Sequence, residues 1–391
     1  MRTTEPHVIA RGIALGRGMA LATALLVLAQ GIGEKKMGVD KDSVRFTRVA
    51  IDETPPDRPW YKMLGDINGD GFLDIVVAGA SGPMVWYKYP GWDKMEIASK
   101  GWDGVNGEIA DVDGDGDNDI VMGGVVWFRN PRSGAGRWAM QRIDTKRAHD
   151  IELGDLDMDG RLDVVARDQS AFGKAGNEIY VYLQGSPNSW TKHTIPCPHG
   201  EGLKLADMDQ DRDPDIVIGG RWYENTRQPG NWKEHSFTTA WAEPDAKVEV
   251  ADINGDGHPD IVLTPAELAG ERYKIAWYEG PGDPKGGDWT EHIIVPEIEC
   301  VIHSLGVGDF DRDGDIDIVI AEMHQGQDPD EVAVHLNLGK GKTWRKQVIS
   351  TQGSHDLAVG DISGDGDLDI VGANHGGKWQ RVELWQNTSC E

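Results

Sequence analysis

One short pattern, an Asp-rich loop followed by a β-branched run, recurs seven times and constrains the fold more than any other feature of this chain. Its first copy reads Gly65-Asp66-Ile67-Asn68-Gly69-Asp70-Gly71-Phe72-Leu73-Asp74-Ile75-Val76-Val77. The copies begin at Asp66, Asp111, Asp155, Asp207, Asp252, Asp309 and Asp361, at intervals of 45, 44, 52, 45, 57 and 52 residues. A fixed spacing of this size marks a repeat protein built from one small supersecondary unit. In each unit an alternating strand precedes the loop and a β-branched strand follows it, as at Ile75-Val76-Val77, Ile120-Val121-Met122 and Ile261-Val262-Leu263. An aromatic third strand comes next (Val85-Trp86-Tyr87, Val126-Trp127-Phe128, Trp222-Tyr223, Ala276-Trp277-Tyr278). A fourth then opens near Trp92, Trp138, Trp190, Trp232, Trp289 or Trp344. Four strands per unit predict the blades of a β-propeller. No useful window shows a 3.6-residue apolar period, so a helical repeat is excluded.

Seven loops require seven fourth strands, and only six follow the loops. The missing one lies at the other end of the chain, where Val44–Ile51 carries Phe46 in the Trp position. The C-terminus stops after a third strand, Glu383-Leu384-Trp385. The N-terminal strand is therefore expected to complete the last blade and remove the free sheet edges that invite aggregation. The expected fold is an all-β, seven-bladed propeller over residues 44–391, after a leader at 1–30 and a linker at 31–43.

Each loop sets oxygen ligands at alternate positions of a tight turn. The sets are Asp66, Asn68, Asp70 and Asp74; Asp111, Asp113, Asp115 and Asp119; Asp155, Asp157, Asp159 and Asp163; and Asp207, Asp209, Asp211 and Asp215. The remaining three are Asp252, Asn254, Asp256 and Asp260; Asp309, Asp311, Asp313 and Asp317; and Asp361, Ser363, Asp365 and Asp369. In six of the seven a Gly adjoins the third ligand. Crowded hard oxygens on a flexible loop favour Ca²⁺, since Mg²⁺ avoids all-protein cages. The expected role is structural, because bare carboxylates at this density would repel one another. Composition agrees. The net charge is −27, and setting aside the 25 carboxylates of the loops leaves about −2. An acidic chain is a poor partner for nucleic acid or an anionic membrane, while 15 Trp residues argue against disorder.

Arg2, Arg11 and Arg17 precede an apolar run from Met19 to Ala29. Its length and flanks predict a cleaved signal peptide and hence a secreted or periplasmic protein; an uncleaved anchor is the alternative. Cys197, Cys300 and Cys390 form no C-x-x-C pair and are read as structural or free thiols.

The D-x-D-x-D-G-x-x-D-I loops, as at Asp111–Ile120 and Asp309–Ile318, resemble those of the FG-GAP/VCBS repeat families, which include the integrin α-chain propeller. The resemblance spans about residues 44–386 and implies calcium and a propeller. It implies no single function.

The register also locates chemistry. Six residues before each first Asp stand Trp60, Val105, His149, Glu201, Ala246, His303 and His355. In a propeller these positions lie near the axis on the face opposite the Asp loops. The ends of the second strands, with Arg167, Arg221, Glu267, Glu322, His324 and His375, are expected at the same mouth. Imidazoles and a carboxylate converging from separate blades predict a transition-metal site, with Zn²⁺ the default and His149, Glu201, His303 and His355 the ligand pool. A polar, water-filled channel is the alternative. His193, His235 and His292 belong to fourth strands on the rim, His258 to an Asp loop and His7 to the leader. No G-x-S-x-G, G-x-G-x-x-G or P-loop occurs.

With His149-Asp150-Ile151, His303-Ser304-Leu305 and His355-Asp356-Leu357 just before Gly-Asp-x-Asp-type loops, the chain also resembles the propeller domain of aldos-2-ulose dehydratases. That implies a metal-dependent sugar lyase, although the two cupin domains of those enzymes have no room here. His324, Glu322 and His375 are then the acid/base candidates, with Arg167 and Arg221 holding substrate. Two other functions remain open. One is a non-catalytic propeller binding polysaccharide or protein, with Trp60, Tyr61 and Trp241 as stacking surfaces. The other is a metal-free polysaccharide lyase.

Overall fold

The computed structural model describes residues 43–104, 106–168 and 177–389. The expected leader and nearly all of the linker, with His7, Val105 and Cys390, lie outside the described residues. The described residues form seven four-stranded antiparallel sheets. Numbered in chain order, blades 1 to 7 have as inner strands Pro59–Gly65, Gly107–Ala110, Asp150–Gly154, Lys204–Ala206, Ala246–Ala251, Ser304–Gly308 and Ala358–Gly360. Each inner strand adjoins that of the next blade, and blade 7 adjoins blade 1. Phe46–Asp52 pairs antiparallel with Val382–Asn387 as the outer strand of blade 7, Val49 lying opposite Leu384. Gln347 of blade 6 also grips this strand: its side-chain amide donates to Val44 O at 2.5 Å and accepts from Val44 N at 3.2 Å.

Second strands are buried along their whole length, whereas outer strands are mostly half-buried or exposed. The apolar faces have to go somewhere, and they go between blades. Seven clusters each join two neighbours, such as Val121 and Trp127 of blade 2 with Val164 and Tyr180 of blade 3. The cluster between blades 7 and 1 (Val371 and Leu384 with Ile75 and Val85) is of the same kind as the others. Third-strand Trp86, Trp127, Trp222, Trp277 and Trp385 are almost wholly buried. Each removes a large apolar area from water. Cys197, just after the outer strand of blade 3, and Cys300, ending that of blade 5, are buried and form no disulfide with each other.

The Asp loops join inner to second strands on one face. The last Asp of every loop is buried and clasps two backbone N–H groups. For Asp119, Oδ2 accepts from Val112 N at 3.3 Å and Oδ1 from Asn130 N at 2.7 Å. Asp74, Asp163, Asp215, Asp260, Asp317 and Asp369 repeat this pairing. One carboxylate per blade thus ties the start of the loop to the end of the third strand.

Candidate functional site

Two groups of buried ligand atoms stand out, one on each face. In the loops, the first Asp turns the chain upon itself. Asp111 accepts from Asp115 N at 3.0 Å and Gly116 N at 2.9 Å. The ligand atoms of Asp111, Asp113 and Asp115 lie within 4.8 Å of one another, as do those of Asp155, Asp157 and Asp163 and of Asp207, Asp209 and Asp215. Asp361 Oδ1 and Ser363 Oγ are buried without a hydrogen bond, while Asp113 Oδ2 lies 2.6 Å from the Arg129 guanidinium. Carboxylate oxygens crowded this closely, more of them than the nearby cations can answer, fit a hard cation. The fourth loop departs from the pattern. Arg212 occupies left-handed backbone there (φ 84°), where each of the other six loops has Gly. Lys285 approaches Asp209 at 2.5 Å and Arg227 approaches Asp213 at 2.6 Å, so protein cations answer part of its charge.

On the opposite face, three of the four expected metal ligands meet. His149 leads into the inner strand of blade 3, its N–H held by Arg167 O at 2.8 Å. Glu201 precedes the inner strand of blade 4 and bridges to Asp245, and His303 precedes that of blade 6. His149 Nε2 lies 3.1 Å from Glu201 Oε2, and His303 Nε2 lies 3.1 Å from Glu201 Oε1. All three ligand atoms fall within 4.8 Å of one another. Glu201 is 0% exposed, and neither of its oxygens accepts a hydrogen bond. A fourth donor comes from Glu267, at the end of the second strand of blade 5, whose Oε1 is 3.0 Å from His303 Nε2. Its side chain, 19% exposed, opens the cluster to the mouth.

The far nitrogens of both imidazoles face carboxylates. His149 Nδ1 is 3.1 Å from Asp150 Oδ1, and His303 Nδ1 is 3.2 Å from Asp356 Oδ1, which also pairs with Lys247 Nζ at 2.9 Å. A carboxylate behind each imidazole fixes the ring and turns Nε2 toward Glu201, the outer-shell arrangement of metal-binding histidines. Burial opposes charge on these rings. Even so, Glu201 and Asp150 raise the pKa of His149, and Asp356 and Glu201, against burial and Lys247, carry that of His303 well above its usual value. Asp150, Asp356 and Lys247 were not singled out by the repeat column. The His-Asp dipeptides at 149–150 and 355–356 were the signal for the first two.

His355 stands beside the cluster, stacked on His303 at 4.1 Å between ring centroids. Both of its nitrogens are engaged. Nε2 accepts from Trp60 Nε1 at 3.0 Å, and Nδ1 faces Trp60 O at 2.9 Å and Asp356 Oδ2 at 3.0 Å. Burial and His303 push its pKa down to about 3. It forms the wall of the site, and its ligand atom lies with those of His303 and Asp356 within 4.8 Å of one another. His375 stacks on Trp60 at 5.3 Å and meets His355 at 4.4 Å, and His324 lies 4.6 Å beyond. Burial and His355 lower His375 to about 2, and burial with Arg58 lowers His324. The Nδ1 atoms of both have no hydrogen-bond partner. A cavity of about 150 Å³, walled by Trp60, His149, Glu267, His303 and His375, opens over the cluster.

Three expected mouth residues are used elsewhere. The Arg167 guanidinium is buried and donates to Gly202 O at 2.7 Å and Pro198 O at 3.1 Å, bracing the segment that carries Glu201. Arg221 follows the tight Gly219-Gly220 turn, which makes it the first residue of a third strand (Arg221–Asn225), and it donates to Glu234 Oε1 at 2.8 Å. Glu322 Oε2 accepts from Glu331 N at 2.8 Å within blade 6. Of the expected stacking residues, Trp60 is at the mouth and Tyr61 faces the channel. Trp241 packs edge-on against Tyr273 at 5.0 Å.

The FG-GAP-like repeat model matches residues 66–122, 111–166, 155–218, 207–263, 252–320 and 309–372. No curated protein matches. Among solved structures, BBS1N in complex with ARL6DN is similar at 13% identity and a TM-score of 0.54, over 88% of this chain and 97% of that one. A chain of the mitotic checkpoint complex is 10% identical with a TM-score of 0.52, over 93% and 99%. YCF48 bound to D1 peptide is 12% identical with a TM-score of 0.50, over 89% and 99%. At such identities the likeness is one of fold. With six overlapping matches that run from the first loop past the last, this chain belongs to the FG-GAP-like repeat family.

Proposed function

We propose that the chain is a secreted, calcium-braced propeller whose mouth holds a transition metal, zinc by its donor set, and acts as a carbohydrate lyase or dehydratase. The observation that carries this reading is the meeting of His149 Nε2, Glu201 and His303 Nε2 from three blades, each imidazole backed by a carboxylate. Two imidazoles with carboxylates suit Zn²⁺ and leave room for a further ligand from the open side. The metal would polarise a sugar carbonyl or hydroxyl. His375 in the cavity wall and His324 against its ring, both with unpartnered Nδ1 atoms, are the groups offered for proton transfer once the metal and substrate are in place. The imidazole that takes the proton α to the carbonyl would return it, as imidazolium, to the β-hydroxyl, which leaves as water. Secretion rests on the N-terminal sequence, and calcium on the clustered ligand oxygens of the loops.

The test is elemental analysis of calcium-saturated protein. About one zinc per chain, lost in His303→Ala, is expected. It would be joined by a new ultraviolet absorbance when oxidised sugars are turned over. Absence of a second metal would sink the enzyme reading. A binding propeller is the second reading, favoured by the partners in the BBS1N and YCF48 structures. It predicts glycan or protein binding that survives His303→Ala.

A further inference from the structure

The cavity over the imidazoles encloses about 150 Å³, less than the roughly 300–1,000 Å³ that usually holds a small ligand. A second pocket of about 380 Å³ begins at His324, whose ring meets His375 of the first. It lies between the segment after the second strand of blade 6 and the segment after that of blade 7. The two segments pack so closely that a Cβ on Gly376 would come within 2.4 Å of His324 Nε2. His324 therefore forms a fixed sill between the pockets.

The chemistry of the second pocket is specific. Asp330 lines it at 5% exposure, with Oδ1 buried and free of any hydrogen-bond partner. The buried Nδ1 of His324 is likewise without one. A buried carboxylate oxygen left without a donor is costly unless something supplies one. Burial and the charge of Asp328 raise the pKa of Asp330 to about 7, in keeping with a group short of donors. The half-buried indole of Trp379 forms another wall, steadied by Lys378 Nζ at 4.4 Å and Arg381 Cζ at 5.2 Å from its centroid. An aromatic face beside an acceptor short of donors suits a ring that carries both C–H faces and hydroxyls.

We propose that this pocket is a second sugar subsite, so that the protein takes an oligosaccharide, with one ring at the mouth and the next carried over His324 onto Trp379. This rests on the carbohydrate reading of the mouth and adds chain length as its determinant. The test is calorimetric titration with glucose, mannose, galactose and xylose, and with their β-1,4-linked oligomers of two to five units. It uses wild type, Trp379→Ala and Asp330→Asn, each with and without chelator.

Wild type should bind a trisaccharide of at least one series about tenfold or more tightly than its monosaccharide, roughly the effect of one well-made contact. Trp379→Ala should erase that gain. Asp330→Asn should reduce the gain. Because no proposed metal ligand lines this pocket, the gain should persist in chelator. Loss of monosaccharide affinity alone on chelation bears only on the mouth metal. Equal affinity at every length, an undiminished gain in Trp379→Ala, or affinity only for peptides would overturn the subsite.

Discussion

Asp119 and its six counterparts show how one side chain can do the same work in every blade. Each accepts two backbone N–H groups from positions that no strand ladder would satisfy. Asp119→Ala leaves both donors buried without acceptors. It is expected to destabilise the protein by about 2–4 kcal/mol, from one to two lost charge-assisted bonds and their desolvation, as measured by denaturant unfolding. At the mouth, single residues show what a repeat register can and cannot reveal. His149, Glu201 and His303 shared a column in the sequence, and they share a point in space. Arg221 did not follow, because a two-Gly turn moved it onto the third strand. Lys247 and Asp356 lie one position closer to the loops, where the column gave no reason to look. His355 fell in the column, yet Trp60 engages both its nitrogens.

Elements meet under special conditions where blade 1 joins blade 7. The alternation of the blade 1 inner strand slips between Pro59 and Tyr61, which places Lys62 beneath the mouth. Its ammonium is 1% exposed and donates to the carbonyls of Trp60 at 3.1 Å, Ala373 at 2.9 Å and, very closely, His355. Burial lowers its pKa to about 7. This cation stitches the first blade to the last, and no pattern in the repeat announces it because only one blade carries the slip. Lys62→Met removes a donor shared by four carbonyls, of which Ala373 O keeps His355 N and Trp60 O keeps His355 Nδ1. The expected loss is about 3 kcal/mol or more, with disturbed Trp60 fluorescence as the local readout. The outer strand of blade 7 was legible, by contrast, because Phe46 occupies the position that Trp holds in the other six blades.

For the whole molecule the dominant fact is charge held at fixed places. If the loops carry calcium, chelation should lower the melting temperature, most at low ionic strength where repulsion is least screened. A loop saturated at a hundred times its Kd contributes about 2.7 kcal/mol, and calcium should restore the loss better than magnesium. The channel offers a test free of bound ions. Glu108 and Glu152 occupy equivalent inner-strand positions and line a cavity of about 320 Å³. Burial, and for Glu108 its neighbour Glu152, raises their pKa values to about 8 and about 7. A carboxyl whose folded pKa is raised favours the native state only while protonated, so stability falls as pH climbs from about 4.5 through those values. Glu108→Gln should accordingly melt a few degrees higher than wild type at pH 8 and no higher at pH 4.

The most direct test of the account is a crystal structure of calcium-saturated protein, with diffraction collected on either side of the zinc absorption edge. The account predicts an anomalous peak among His149 Nε2, Glu201 and His303 Nε2, within reach of Glu267, and none in the Asp loops. A clean map at the mouth, with Glu201 bonded only to protein and water, would contradict it.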